Sequence, residues 1–204
     1  MAVRESIIAK ASRCIDEVYP SPNDINAPFL PIEQFLDEAA EWVVKAVPAK
    51  SLGNGTEVTL PADNLAAWKY EIDEEGVGSV TLPADFKRLL SFKCSDWRRP
   101  VVAPIYDTDI SYTQQSNPYL RGNAYRPEVA ICDGESRLEF YTAVSPDATV
   151  KCRYFAFSTV SDDYPANLIN ITAWKLAELV LTSISSITSA QACQAKVNEL
   201  LQLL

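Results

Sequence analysis

The sequence predicts an α+β fold, in which helices from both ends of the chain form a bundle and a β-rich insertion lies between them. Apolar residues recur at helical spacing in residues 4–18 and 31–47, and again from residue 161 to residue 204. Between these stretches, residues 127–157 alternate apolar and polar side chains as half-buried strands do. These patterns place helices at the two ends of the chain and strands in its middle.

The terminal helices are expected to pack against one another, because each has one apolar face to bury. We therefore predict a helical bundle from residues 1–48 and 161–204 and an insertion from residues 49–160, forming one compact unit overall. The first helix should end before Pro20, since proline cannot continue a helix. The second should start with Pro31 in its first turn.

The middle of the chain contains one short repeat and two turn signals. The sequence VTLPAD occurs at residues 58–63 and again at residues 80–85. The repeat could indicate two related edge strands that each stop at proline. We favour the alternative that a pattern common at the ends of strands occurs twice by coincidence. Asp133-Gly134 and residues 145–147 are typical of hairpin turns.

The C-terminal part predicts two helices. Ser161-Asp162-Asp163 offers an N-cap for a long helix that ends near Ser183 and is apolar nearly all round, which indicates the most buried helix. A last helix should start near Ser189 and ends in a leucine-rich tail, comprising Leu200, Leu201, Leu203 and Leu204. The tail either docks in the groove of a partner or packs on its own bundle.

Composition excludes several kinds of chemistry. The chain has no histidine, so neither a Ser-His-Asp nor a Cys-His site exists. Its five cysteines are widely spaced without a CxxC pair, which argues against a disulfide framework and a zinc site. No phosphate-binding glycine motif, signal peptide or membrane span is present in the sequence. We expect a soluble protein made in the cytoplasm, with no cofactor, no metal and no catalytic residues.

Two groups of carboxylates keep an enzyme as an alternative. Residues 71–75 contain Glu71, Asp73, Glu74 and Glu75, and residues 107–109 read Asp-Thr-Asp. A metal-dependent enzyme that uses only Asp and Glu would need these carboxylates to converge. The simpler interpretation is a solvated turn for the first group and a helix N-terminus for the second.

Arginine and aromatic residues are interleaved between Arg88 and Arg126. Because the net charge of the chain is −9, we interpret this segment as a protein interface and not as a nucleic-acid platform. The candidate interface residues, together with the leucine tail, are Trp97, Arg98, Arg99, Tyr119 and Arg121.

Two segments of the chain resemble a known family. They are Leu82-Pro83-Ala84-Asp85-Phe86-Lys87-Arg88-Leu89 with Asp96-Trp97-Arg98-Arg99-Pro100-Val101, and Gln114-Gln115-Ser116-Asn117-Pro118-Tyr119-Leu120-Arg121-Gly122 with Arg126-Pro127. Both resemble head–tail connector proteins of tailed bacteriophages, particularly the ring proteins of crAss-like podoviruses. The order of helices, β-rich middle and long apolar helix is also similar.

The resemblance implies a structural protein of the virion, located at the head–tail junction. It implies a homo-oligomeric ring, a dodecamer, that binds the portal protein and other tail or ring proteins and extends the DNA channel. DNA would pass without sequence-specific binding, which an acidic lumen favours. A receptor-binding module of a tail appendage that uses exposed aromatic residues is a further alternative.

Overall fold

The computed structural model describes residues 2–18, 32–61, 69–132, 134, 136–143, 145 and 147–204. It confirms the predicted α+β fold, with helices at both ends and a β-rich middle. The chain divides into two compact units. The helical unit comprises Met1–Gly53 with Phe157–Leu204, and the β unit comprises Asn54–Ala156. The predicted first-turn position of Pro31 lies outside the described residues.

Five α-helices occur in the described residues. They are α1 (Val3–Val18), α2 (Leu36–Ala46), α3 (Ile110–Gln114), α4 (Ile169–Ser183) and α5 (Ile187–Gln202). All except α3 belong to the helical unit. Short 3-10 turns at Ile32–Phe35 and Ala166–Leu168 precede α2 and α4, so both helices begin later than the apolar pattern alone suggests.

Helix α4 is the centre of the helical unit. It contacts α1, α2 and α5, and nine of its 15 residues are buried. Because the apolar side chains of α4 point to nearly all sides of the helix, it has no single polar face that would lie in solvent. The prediction that this helix is the most buried one is confirmed.

The predicted N-cap of this helix is wrong. Ser161, Asp162 and Asp163 lie in a turn that precedes the 3-10 segment, and α4 itself begins at Ile169. The Asp162 carboxylate instead accepts a hydrogen bond of 2.9 Å from the backbone N–H of Val3. It therefore satisfies one of the free donors at the N-terminus of α1, which sequence spacing cannot reveal.

The β unit contains two sheets. Its strands are β1 (Thr56–Leu60), β2 (Tyr70–Ile72), β3 (Val77–Thr81), β4 (Phe86–Cys94), β5 (Ile105–Tyr106), β6 (Val129–Cys132), β7 (Arg137–Tyr141) and β8 (Val150–Ala156). One sheet has the order β1-β8-β4 and the other β2-β3-β7-β6-β5. All pairs are antiparallel except β5 with β6.

Both sheets contribute to one apolar core that contains a cluster of aromatic rings. The rings of Phe92 and Phe140 lie 5.2 Å apart, and Trp97 lies 5.8 Å from Phe92 and 6.1 Å from Phe140. Gly78 pairs with Phe140 across β3 and β7, and a Cβ at Gly78 would overlap the Phe140 ring. Glycine is thus required here by close packing.

The topology bears on three expectations for the middle of the chain. The VTLPAD copies do not mark two related edge strands, because β1 is at the edge of one sheet and β3 is inside the other, which agrees with the coincidence that we favour. The hairpin predicted at residues 145–147 is wrong, because β7 and β8 belong to different sheets; residue 146 lies outside the described residues. Strands β6 and β7 pair antiparallel, as the hairpin predicted at Asp133-Gly134 requires, and Asp133 itself lies outside the described residues.

Candidate protein-interaction surface

Large apolar side chains are exposed mainly in one segment of the β unit. Of the nine that are exposed among the described residues, six lie between Val102 and Tyr125. Exposed arginines flank them. We call this set the arginine–tyrosine surface; it comprises Arg98, Arg99, Val102, Tyr106, Ile110, Tyr119, Leu120, Tyr125 and Arg126.

Asparagine side chains fix the loop that carries this surface. The Asn117 side-chain oxygen accepts a hydrogen bond from the N–H of Tyr119 at 3.0 Å. The Asn123 side-chain oxygen accepts two, from the N–H groups of Tyr125 and Arg126, each at 3.0 Å. Such side-chain turns pre-set the backbone. The exposed tyrosines therefore project from a loop with a defined conformation.

Buried Gln115 holds α3 to the same loop. Its Nε2 donates to the Ser111 carbonyl at 3.0 Å and to the Glu128 carboxylate at 2.7 Å, while its Oε1 accepts from the Gly122 N–H at 2.8 Å. Three good hydrogen bonds from one buried amide leave little freedom for the segment around it. Gly122 also approaches Glu128 closely, which leaves little space for a side chain.

A second polar cluster attaches α3 to β7. The hydroxyls of Tyr112 and Tyr141 donate to the same oxygen of Glu139 at 3.2 and 3.0 Å, and Arg137 pairs with its other oxygen at 2.6 Å. A hydrogen bond with the Cys132 thiol, then burial and Glu139, raise the pKa of Tyr112. Burial, followed by Glu139, raises the pKa of Tyr141. Both phenols therefore stay protonated as donors.

The two ends of the segment are joined. The Arg98 guanidinium lies 4.5 Å from the centre of the Tyr125 ring, and its backbone N–H donates to the Ala124 carbonyl at 3.1 Å. Arg121 binds Glu75, at 3.3 Å to a carboxylate oxygen and 3.3 Å to the carbonyl. Contacts therefore join the two ends of this segment to each other and connect the segment to the turn between β2 and β3.

The predicted interface residues separate into exposed and buried ones. Arg98, Arg99 and Tyr119 are exposed, and Tyr119 reaches 96% exposure. The prediction of Trp97 as an interface residue is wrong. Its side chain is only 3% exposed, lies within the aromatic core and is not available to a partner. The Arg121 side chain is also mostly covered, at 10% exposure, and serves the Glu75 contact.

Sequence reasoning missed three apolar members of the surface. Val102, Ile110 and Leu120 are all exposed. Their signal in the sequence is weak: each lies in a segment without strand alternation or a helical stripe, and so lacks a core face to occupy. The position of Leu120, an apolar residue next to turn residues, is the feature of the sequence that could have indicated its exposure.

The C-terminal leucines do not share one environment. Leu203 is 76% exposed, whereas Leu200, Leu201 and Leu204 are half-buried. Earlier in α5, Ala192 is exposed, while Cys193 and Val197 are buried. The tail thus partly packs on its own unit and partly faces outward, and docking of the tail on a partner stays a prediction.

The two acidic segments have structural uses. The Asp73 carboxylate accepts hydrogen bonds from the N–H groups of Glu75 and Val77 at 2.9 and 2.8 Å, which shapes the turn between β2 and β3. The Asp109 carboxylate accepts from the Tyr106 N–H at 2.7 Å, directly before α3. Among the described residues, no three Cys, Asp or Glu side chains form a group that would hold a metal ion.

All five cysteines are free and buried. Burial raises the pKa of Cys152 to about 12, and burial followed by the charge of Cys14 raises that of Cys193 to about 12. These thiols are protonated at neutral pH and act as small apolar side chains. In the part of the chain that the structure describes, no helix combines the length and the apolar character that a membrane crossing requires.

The comparisons with known proteins add no family. A scan against protein-family models finds no match, and a search of curated proteins finds no significant match.

Proposed function

We propose that this protein is a structural assembly subunit that binds other protein subunits through the arginine–tyrosine surface and catalyses no reaction. The observation that carries the proposal is the concentration of exposed large apolar side chains between Val102 and Tyr125, flanked by exposed arginines. Folded proteins cover most such side chains, and clusters that remain exposed are typical of interaction sites.

The chemistry of this surface supports binding to protein. Tyrosine and arginine are enriched at the centres of interfaces, because they combine a large contact area with directed hydrogen bonds. The hydrogen bonds of Gln115, Asn117 and Asn123 hold the loop in place before any partner arrives. A preorganised loop loses little conformational entropy on binding, so more of its contact energy contributes to affinity.

At a finer level, we propose a ring subunit of the head–tail connector of a tailed phage, at the junction between portal and tail. The resemblance of residues 82–89, 96–101, 114–122 and 126–127 to the ring proteins of crAss-like podoviruses supports this. A closed ring requires two different surfaces on each subunit that bind each other. The net charge of −9 suits a channel wall that DNA passes without adhering.

Native mass spectrometry and negative-stain electron microscopy of the purified chain test the proposal. A closed oligomer of high order, near a dodecamer, is the expected result. A trimer would favour the receptor-binding module of a tail appendage. A monomer whose unfolding temperature rises with a divalent cation would favour the Asp/Glu-based enzyme and contradict our proposal.

A further inference from the structure

We propose that the arginine–tyrosine surface binds the acidic outer face of α2 on a second copy of this chain. The inference rests on the proposed function and deepens it, because it names the partner of that surface. It commits to a head-to-tail contact, in which the β unit of one copy meets the helical unit of the next.

The arginine–tyrosine surface is basic within an acidic protein. Residues 98–126 contain four arginines and two aspartates, whereas the whole chain has a net charge of −9. Arg99 and Arg126 are exposed, so their charge faces outward. Two such surfaces would repel each other, which disfavours a symmetric contact between identical patches. The partner should therefore be an acidic surface at another place on the chain.

The outer face of α2 has the matching chemistry. Residues 33–45 contain four acidic side chains and a single lysine. Glu38, Glu41, Trp42 and Lys45 share one face, because they are three, four and seven positions apart. Trp42 is the large apolar side chain that α2 leaves exposed, at 37%, and Lys175 Nζ lies 4.3 Å from the centre of its ring. An acidic face with an exposed tryptophan complements arginines and tyrosines in both charge and contact type.

The acidic turn between β2 and β3 is less suited as the partner. Its Asp73 accepts hydrogen bonds from backbone N–H groups and its Glu75 pairs with Arg121, but Glu41 on α2 likewise pairs with Lys45 at 2.9 Å, so these contacts do not separate the two segments. This turn contains no exposed aromatic side chain. It provides a matched control, because Glu71 and Glu74 are two exposed glutamates in a segment that the proposal leaves out of the contact.

Charge reversal with rescue tests the proposal by native mass spectrometry and sedimentation. We expect Arg99→Glu/Arg126→Glu to weaken self-association about tenfold or more, and Glu38→Lys/Glu41→Lys to do the same. A chain that carries all four substitutions should recover association, because opposite charges again face each other. Glu71→Lys/Glu74→Lys should associate as the wild type does. Added salt should weaken the wild-type contact.

Each outcome decides the matter, provided that circular dichroism shows every variant folded. Tyr119→Ala is a second variant of the surface, since its nearly fully exposed ring contributes little to folding. Unchanged association in either reversed variant, a failed rescue, a loss in the Glu71/Glu74 control, or a wild type that stays monomeric would overturn the inference. If the charge-reversed variants still form a closed ring, the inference fails and the proposed function stands. If the chain forms only an open or two-subunit assembly that the reversals disrupt, the inference stands and the proposed ring does not.

Discussion

At the scale of single residues, Gln115 shows how a buried amide supports an exposed surface. Its side chain has three hydrogen-bond partners, Ser111, Gly122 and Glu128, which lie in α3, in the loop and just before β6. These hydrogen bonds help to set the shape of the loop. Gln115 is thus a positioning residue for Tyr119 and Tyr125.

Replacing Gln115 by alanine should destabilise the fold and loosen the surface. The change leaves the Glu128 carboxylate and the Gly122 N–H without this partner, which costs about 1–3 kcal/mol of unfolding free energy. Urea unfolding measures the loss, and hydrogen exchange should show faster exchange at Gly122. Gln114→Ala is the control: Gln114 is the exposed neighbour, so its effect should stay within about 0.5 kcal/mol. Equal effects of the two variants would refute the role of Gln115.

Alanine substitutions of Trp97 and of Tyr119 should have opposite effects on stability and self-association. Trp97→Ala should cost about 3–5 kcal/mol, because it removes a ring from the core between Phe92 and Phe140. Tyr119→Ala should leave unfolding free energy within about 0.5 kcal/mol and reduce self-association. Thermal unfolding and native mass spectrometry separate the two. A stable Trp97→Ala protein would contradict the position of Trp97 in the core.

At the scale of elements, α4 contains a nearly buried ion pair. Lys175 Nζ donates to a Glu178 oxygen at 2.8 Å and lies 4.3 Å from the centre of the Trp42 ring on α2. The other Glu178 carboxylate oxygen is buried and has no hydrogen-bond partner among the described residues. Loss of either partner would therefore leave a nearly buried charge without its counter-charge, which is costly.

Removing one charge should be worse than removing both. Lys175→Met leaves the Glu178 carboxylate without its cation and should cost about 3 kcal/mol or more of unfolding free energy. The double variant Lys175→Met/Glu178→Leu should return to within about 1 kcal/mol of the wild type, since two apolar side chains replace the pair. Urea unfolding of both variants tests this. A double variant that is less stable than the single one would show that the pair itself stabilises the unit.

The sequence predicts elements well where one local pattern decides them. The apolar stripe of α1, the two-sided apolar pattern of α4 and the alternation in β8 each identify an element without reference to the rest of the chain. The start of α4 was missed because Asp162 bonds to Val3, a residue far away in sequence. The path from β7 to β8 was missed because a turn signal does not tell whether the next strand joins the same sheet.

The candidate surface was predicted in part for a similar reason. Arg98, Arg99 and Tyr119 were identified by composition, and composition alone does not distinguish an exposed residue from its buried neighbour. Trp97 and Arg98 are adjacent in sequence, yet Trp97 belongs to the core and Arg98 to the surface. That division depends on the packing of Phe92 and Phe140, which are far apart in the chain.

At the scale of the whole molecule, buried thiols couple stability to alkaline pH. The pKa of Cys152 is raised from 9.0 to about 12, solely by burial. The folded state therefore keeps a proton that the unfolded state releases above pH 9.0. The stability that this thiol contributes is complete below that pH and is lost as pH rises toward about 12.

Unfolding free energy should accordingly fall between about pH 9 and pH 12, by about 1.4 kcal/mol per pH unit for each such thiol. Cys152→Ala should show a shallower fall in this range than the wild type, because one of the titrating groups is missing. Urea unfolding at several pH values measures both slopes. Equal slopes would mean that Cys152 does not titrate as its burial requires.

The central claim for the whole molecule is that the arginine–tyrosine surface joins subunits. Its most direct test compares the native mass of the wild type with that of Tyr119→Ala/Leu120→Ala, two exposed side chains whose loss should leave folding intact. We predict a closed high-order oligomer for the wild type and a folded monomer or open fragments for the variant. A wild type that remains monomeric, or a variant that forms the same oligomer, would contradict the claim.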